Sequence, residues 1–153
     1  MQSKTYTAQP ISVEVLPPTE NFTRADIEFH GVDHSGASFE GRVFLNNPDA
    51  NEDTEKTPGN GYAGSFHIFG HGGCYGDVGH CEIHAEPRAY DPRPSHMLTP
   101  VKKVVTATEA VRRAIAEGKD IEVTVVPVIT GLTEQTDTDD VLKFDHLSIV
   151  NYK

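Results

Sequence analysis

Positive charge is scarce in this chain: 13 Lys and Arg stand against 23 Asp and Glu, a formal net charge of -10 over 153 residues. A surface this acidic repels phosphate backbones and anionic headgroups and attracts cations, so nucleic acid and membrane surfaces are excluded as natural partners. Long apolar runs are also missing. With a mean hydropathy of -0.42, no stretch is long enough to cross a bilayer as a helix. The first fifteen residues (MQSKTYTAQPISVEV) lack the apolar segment and small-residue cleavage site of a secretory signal, so a soluble protein is expected, and its compartment stays open between the cytoplasm and a translocated domain. Only two cysteines are present, Cys74 and Cys81. They are too few for a disulfide-rich scaffold, and they allow either one disulfide or a pair of metal-binding thiolates. No nucleophile elbow of the Gly-x-Ser-x-Gly kind occurs, nor a phosphate-cradling glycine loop with lysine. The acidic stretches Asn51 to Asp53 and Asp137 to Asp140 do not follow the ligand spacing of an EF-hand and are read as solvated loops.

What is present is a chain the size of one domain, with 37% hydrophobic residues. Residues 1–10 read as a flexible N-terminal segment and 11–153 as the domain. Alternation of apolar and polar residues predicts strands over Ile11 to Leu16, Thr23 to Val32, Ser38 to Asn46 and Gly61 to Phe69. Further strands are predicted over Val101 to Thr106, Ile121 to Ile129 and Val141 to Val150. Gly41 marks a bulge or a close backbone approach. Pro127 places its strand at an edge or a bulge. Asn47 to Asn60 reads as a long exposed loop. One helix is predicted, Ala107 to Glu117, opened by a Thr106-x-x-Glu109 capping box and closed by Gly118, with Ala110, Val111, Ala114 and Ile115 on its apolar face. Six to eight strands with one short helix make an all-β protein, an antiparallel β-sandwich of jelly-roll-like kind.

The chemistry-bearing residues gather in one place. Residues 61–96 hold five of the eight histidines, both cysteines and seven of the thirteen glycines, so a Gly/Cys/His-rich loop is expected at 70–96. His71-x-x-Cys74 and Cys81-x-x-His84 are knuckle spacings that bring two soft ligands to one ion. Two thiolates with two imidazoles suit copper or zinc. His71, Cys74, Cys81 and His84 are therefore the expected metal ligands, with His80, His67 or His96 as substitutes. The competing reading is a Cys74–Cys81 disulfide clasping a glycine-rich hairpin. His67 falls on the outward parity of its strand, and it would share a site with His71 only if the chain turns at Gly70. His30 and His34 read as surface or loop residues, and His146 as a hydrogen-bonded core or edge histidine. Ser65 sits within a strand and makes a poor nucleophile. His80 and Cys81 are adjacent, so in an extended chain they point to opposite faces and do not form a catalytic pair.

In their order and spacing, four segments resemble the C-terminal β-sandwich of tyrosinases and polyphenol oxidases, of the type attached to bacterial tyrosinases. They are Phe39-Glu40-Gly41-Arg42-Val43-Phe44-Leu45, Ala63-Gly64-Ser65-Phe66, Val104 to Val111, and Thr124-Val125-Val126-Pro127. The resemblance spans roughly residues 10–150. It implies a domain that packs over the dicopper site of a separate helical domain, keeps that enzyme latent and helps load its copper. Oxidase activity does not carry over, because the only predicted helix has no histidine and a dicopper site needs histidines from paired helices. The expected function is thus an accessory copper- or zinc-binding domain that caps, or supplies copper to, a tyrosinase-type oxidase. Two alternatives stand beside it. One is a structural or interaction module, held by a disulfide or a zinc, that covers a partner or forms a homo-oligomer; the other is a small metalloenzyme with an open metal position.

Overall fold

The computed structural model describes residues 6–7, 22–71, 77–83, 89–93, 96–118, 120–129 and 141–153. Seven strands and one α-helix follow in the order β1 (Tyr6–Thr7), β2 (Arg24–Val32), β3 (Phe39–Leu45), β4 (Tyr62–Ile68), β5 (Val101–Thr106), α1 (Thr108–Ala116), β6 (Val123–Ile129) and β7 (His146–Tyr152). They form two antiparallel sheets, one ordered β1-β6-β3-β4 and the other β5-β2-β7. The all-β sandwich expected from the alternation is the fold observed. The strand predicted over Ile11 to Leu16 lies outside the described residues. No helix among the described residues is long and apolar enough to cross a membrane.

Strand β2 shows how the period of two builds the core. Ala25, Ile27 and Phe29 are completely buried on one face, and Asp26, Glu28 and His30 take the other. Pairing with β5 then slips between Phe29 and Val32, where Gly31 has φ +70°. That irregularity returns Val32 to the core. Phe29 reaches across to Phe66 of β4, with ring centroids 4.7 Å apart, so the two sheets meet at an aromatic pair.

Strand β3 is buried on both faces. Phe39, Val43 and Leu45 enter the main core, whereas Phe44 packs with Ala50 and Val126 in a second, smaller cluster on the outer side of the sheet. The long loop Asn47 to Asn60 is mostly exposed as expected, yet Ala50 pins it over that outer face. Gly41 is the close approach its position suggested: a Cβ there would lie 2.5 Å from the ring of Phe66.

Three expectations need correction. The capping box does not form: Ala107 occupies the N-cap without a side-chain bond. Thr106 hydrogen-bonds Asp26 instead, Glu109 is drawn to Arg112 at 2.6 Å, and the Ala107 N–H donates to the Ala25 carbonyl, tying the helix start to β2. Pro127 is on an inner strand, opposite Gly41 of β3. It is tolerated there because β1, on the other side, pairs only with Thr124 and Val125 among the described residues. The last strand begins at His146, not Val141: its register with β2 stops at His30, next to Gly31, whose φ of +70° turns β2 out of the extended ladder.

Candidate functional site

The stretch that leaves β4 is docked before it departs. A Cβ at Gly70 would lie 2.2 Å from the Gly36 carbonyl oxygen, and the Gly70 N–H donates to Ser38 Oγ at 3.0 Å. Only glycine lets the two backbones approach this closely. His71 follows, exposed; its backbone N–H and its ring Nδ1 both lie 3.1 Å from the His34 carbonyl oxygen. The His34 ring stands 5.0 Å from that of His71, and its Nε2 donates to the Thr99 carbonyl at 2.9 Å. Segments around 34, 71 and 99 are thereby held together by two imidazoles, one of which, His34, sequence reasoning left as an ordinary loop residue.

Beyond it, residues 77–81 form a turn closed by the His80 N–H to the Asp77 carbonyl at 2.9 Å, with Gly79 at φ +86°. His96 fastens this turn. The Leu98 N–H donates to His96 Nδ1 at 3.1 Å, so the ring proton sits on Nε2, which donates to the His80 carbonyl at 2.8 Å. Both ring nitrogens of His96, a substitute ligand in the sequence reading, are engaged here by the chain's own backbone. Buried Leu98 anchors the far end.

Of the expected ligands, Cys74 and His84 lie outside the described residues. Cys81 is disulfide-bonded, the state of the competing reading, and a disulfide sulfur is not a thiolate ligand. His67 is exposed on the outer side of β4, as its parity required, and His80 is exposed in its turn. Among the described residues no three His, Cys, Asp or Glu side chains converge on a point that would hold a metal.

Two polar clusters elsewhere were not anticipated. On the outer face of β3, the Glu40 carboxylate is buried and receives Lys56 Nζ at 2.5 Å, Ser65 Oγ at 2.9 Å and Arg42 Nε at 3.0 Å; Ser65 is in turn 2.7 Å from the Tyr62 hydroxyl. Burial pushes the Glu40 carboxyl up, and the hydrogen bonds from Lys56, Arg42 and Ser65 outweigh it, holding the group at about 2. On the outer face of β2, His30 stacks on its cross-strand neighbour His146 at 4.3 Å between centroids and contacts Ser148 at 3.0 Å and Glu28 at 3.3 Å. His146 is the edge histidine expected, held 2.6 Å from Asp145. A hint of both clusters exists in the sequence, since Glu28, Glu40 and Arg42 interrupt otherwise apolar strands.

Exposed large apolar side chains are concentrated in one stretch of the sequence. Five of the seven exposed large hydrophobic side chains among the described residues, Phe69, Val78, Ile83, Tyr90 and Met97, fall within 69–97. Tyr90 adopts φ +66°, a left-handed conformation uncommon outside glycine, and is fully exposed.

Fold and surface together define an antiparallel β-sandwich with a long, histidine-bearing connection between β4 and β5. Solved structures that share this fold include those of latent aurone synthase, a polyphenol oxidase. The enzyme from its natural source matches at 14% identity over 96% of this chain and 23% of that chain, with a TM-score of 0.51. A recombinant form co-crystallized with hexatungstotellurate(VI) matches at 14% identity over 96% of this chain and 24% of that one, with a TM-score of 0.53. The chain thus spans about a quarter of the polyphenol oxidase whose fold it shares, and the fold implied by the four segments is the one observed. No protein-family model and no curated protein matches the chain.

Proposed function

We propose that this chain is an accessory domain that docks on a tyrosinase-type dicopper oxidase and covers its entrance, using the side chains of 69–97 as the contact surface. The observation that carries the reading is the concentration of exposed Phe69, Val78, Ile83, Tyr90 and Met97 on one excursion from a polyphenol-oxidase-like sandwich. Exposed aromatic and methionine side chains are the residues that supply most of the energy of protein interfaces. His34 ties both ends of the excursion to the loop after β2, and His96 braces its 77–81 turn from within, so part of the ordering cost of docking is met in advance. Added to a tyrosinase-type oxidase, the chain is expected to suppress diphenol oxidation in a saturable way. The triple variant Phe69→Ser, Tyr90→Ser, Met97→Ser should need more than about thirtyfold higher concentration for half-suppression, the loss of a single strong contact at least. Equal suppression by both proteins would sink the reading.

A second reading, copper or zinc binding on the way to such an oxidase, is favoured by the exposure of His67, His71 and His80, three imidazoles close together in the sequence. With Cys81 in a disulfide, imidazoles rather than thiolates are the ligands in the oxidised protein. Thiol counting without reductant is expected to return none. Copper titration of the same sample should give binding that weakens about tenfold in the His71→Ala, His80→Ala double variant. Unchanged binding in that variant removes histidine delivery of copper from consideration.

A further inference from the structure

A second, unrelated site lies at the other end of the sandwich, between the last turn of α1 and the loops at 46–47 and 58–61. A cleft of about 180 Å³ opens there. Its floor is rigid: Asn46 has φ +55° and Gly61 φ +79°, and a Cβ at Gly61 would strike the Leu45 carbonyl oxygen at 2.2 Å. Non-glycine residues held at positive φ persist where the surrounding structure over-determines them, often where a ligand is clamped. Asn46 is fixed at three points, its backbone N–H donating to the Glu122 carbonyl at 2.8 Å, its Oδ1 accepting from the Glu122 N–H at 2.9 Å, and its Nδ2 donating to Glu117 Oε2 at 2.8 Å.

That last bond has a consequence one helical turn away. Arg113 and Glu117 stand at i, i+4, the spacing for an ion pair. They do not pair, since Glu117 is turned to Asn46. Among the described residues, Arg24, Arg42, Arg93 and Arg112 each hold a carboxylate, and Arg113 alone has no side-chain partner. An unpaired guanidinium lining a cleft is a ready anion site, with a planar fork suited to a carboxylate.

The rest of the lining has the opposite polarity. Asn47 Nδ2 is spent on the Asn60 carbonyl at 2.9 Å, and Asn60 Nδ2 on the Glu55 carbonyl at 3.1 Å. Their amide oxygens, with the second oxygen of Glu117, remain as acceptors. An inorganic anion would satisfy Arg113 and leave these acceptors facing negative charge. A sugar would bring hydroxyl donors without a charge for the guanidinium. A molecule with a carboxylate and an ammonium on one carbon satisfies both. We propose that this cleft binds a small α-amino acid, its carboxylate on Arg113 and its ammonium among Glu117, Asn47 and Asn60. The volume sits below the roughly 300–1,000 Å³ of sites for drug-sized ligands, which selects an amino acid with a short side chain.

Amide NMR of the intact chain, titrated with L-alanine, tests this. Saturable shifts are expected at Asn46, Gly61 and the end of α1, with acetate and ethylamine each more than about tenfold weaker than alanine. Arg113 is exposed and unpaired, so Arg113→Gln keeps the fold. Glu117→Gln keeps the bond from Asn46 and removes only the charge. Each should weaken alanine binding about tenfold, the loss of one charge-assisted contact at a solvated site. The proposal is overturned by absence of saturation up to about 50 mM alanine, by unchanged affinity in Arg113→Gln, by acetate binding as well as alanine, or by glucose saturating the same amides in its place.

Discussion

Phe66→Ala is expected to lower the free energy of unfolding by about 3–5 kcal/mol, the cost of removing a buried aromatic ring and leaving its cavity. Phe66 is where the two sheets are joined: it lies 4.7 Å from Phe29 of the opposing sheet and 6.1 Å from Phe39 beside it, and it is almost fully buried. The ring also rests on Gly41, where a Cβ would come within 2.5–2.9 Å of three ring carbons. Gly41→Val must therefore displace the ring, and overpacking of this kind costs about 1–3 kcal/mol or more. The two changes act on one space. In the double variant the valine occupies room the ring has vacated, so the combined loss should fall short of the sum by more than about 1 kcal/mol. Denaturant unfolding of the three variants measures this coupling, and strict additivity would show that Gly41 does not seat the ring.

Acid should remove a second large contribution, lodged in Glu40. Its carboxyl is held at about 2 in the folded protein against an ordinary value of 4.5. A folded-state value below the unfolded one means that the stabilisation is complete above pH 4.5 and is lost as pH falls toward 2. The shift corresponds to about 2–3 kcal/mol once the half-exposed Lys56 is discounted for solvent screening. Glu40→Gln retains the shape and loses this acid-dependent term, so between pH 4.5 and 2.5 its stability should fall less than that of the parent protein by about 2–3 kcal/mol. Glu40→Ala leaves Arg42, Lys56 and Ser65 facing a gap and is expected to cost about 3 kcal/mol at neutral pH. Parallel pH-stability curves for Glu40→Gln and the parent would show that the carboxylate carries no such term.

The surface of 69–97 and the cleft at Arg113 lie on different parts of the chain and make different demands. The first needs exposed bulky apolar side chains; the second needs charge left unpaired by Asn46. Loss of docking in the Phe69, Tyr90, Met97 variant should leave the alanine titration untouched, which keeps the two proposals separable.

Much of the architecture could be read from residue order alone. Apolar alternation located β2 through β6 to within a few residues, because a strand with one face in a core must repeat every second position. The helix and its terminating Gly118 followed from helical spacing, and Gly41 announced a close approach by lacking a side chain where its neighbours are large. The four family-like segments carried the sandwich fold. Local pattern misled where a distant residue competed: Thr106 looked like a cap until Asp26 took its hydroxyl, and the last strand was cut short where its partner β2 turns at Gly31.

Which strands pair, and therefore which side chains meet, was decided by tertiary structure. The orders β1-β6-β3-β4 and β5-β2-β7 bring Glu40 to Lys56 and Ser65, stack His30 on His146, and set Asn46 beside Glu117 so that Arg113 is left alone. None of these partners is close in sequence, and each depends on sheet register and loop path, which a pattern of period two does not encode. The chain itself determined that its histidines, cysteines and glycines gather in one excursion. Only the folded structure decided that His34 and His96 serve as fasteners, that Cys81 is held in a disulfide, and that Phe69, Val78, Ile83, Tyr90 and Met97 stand exposed.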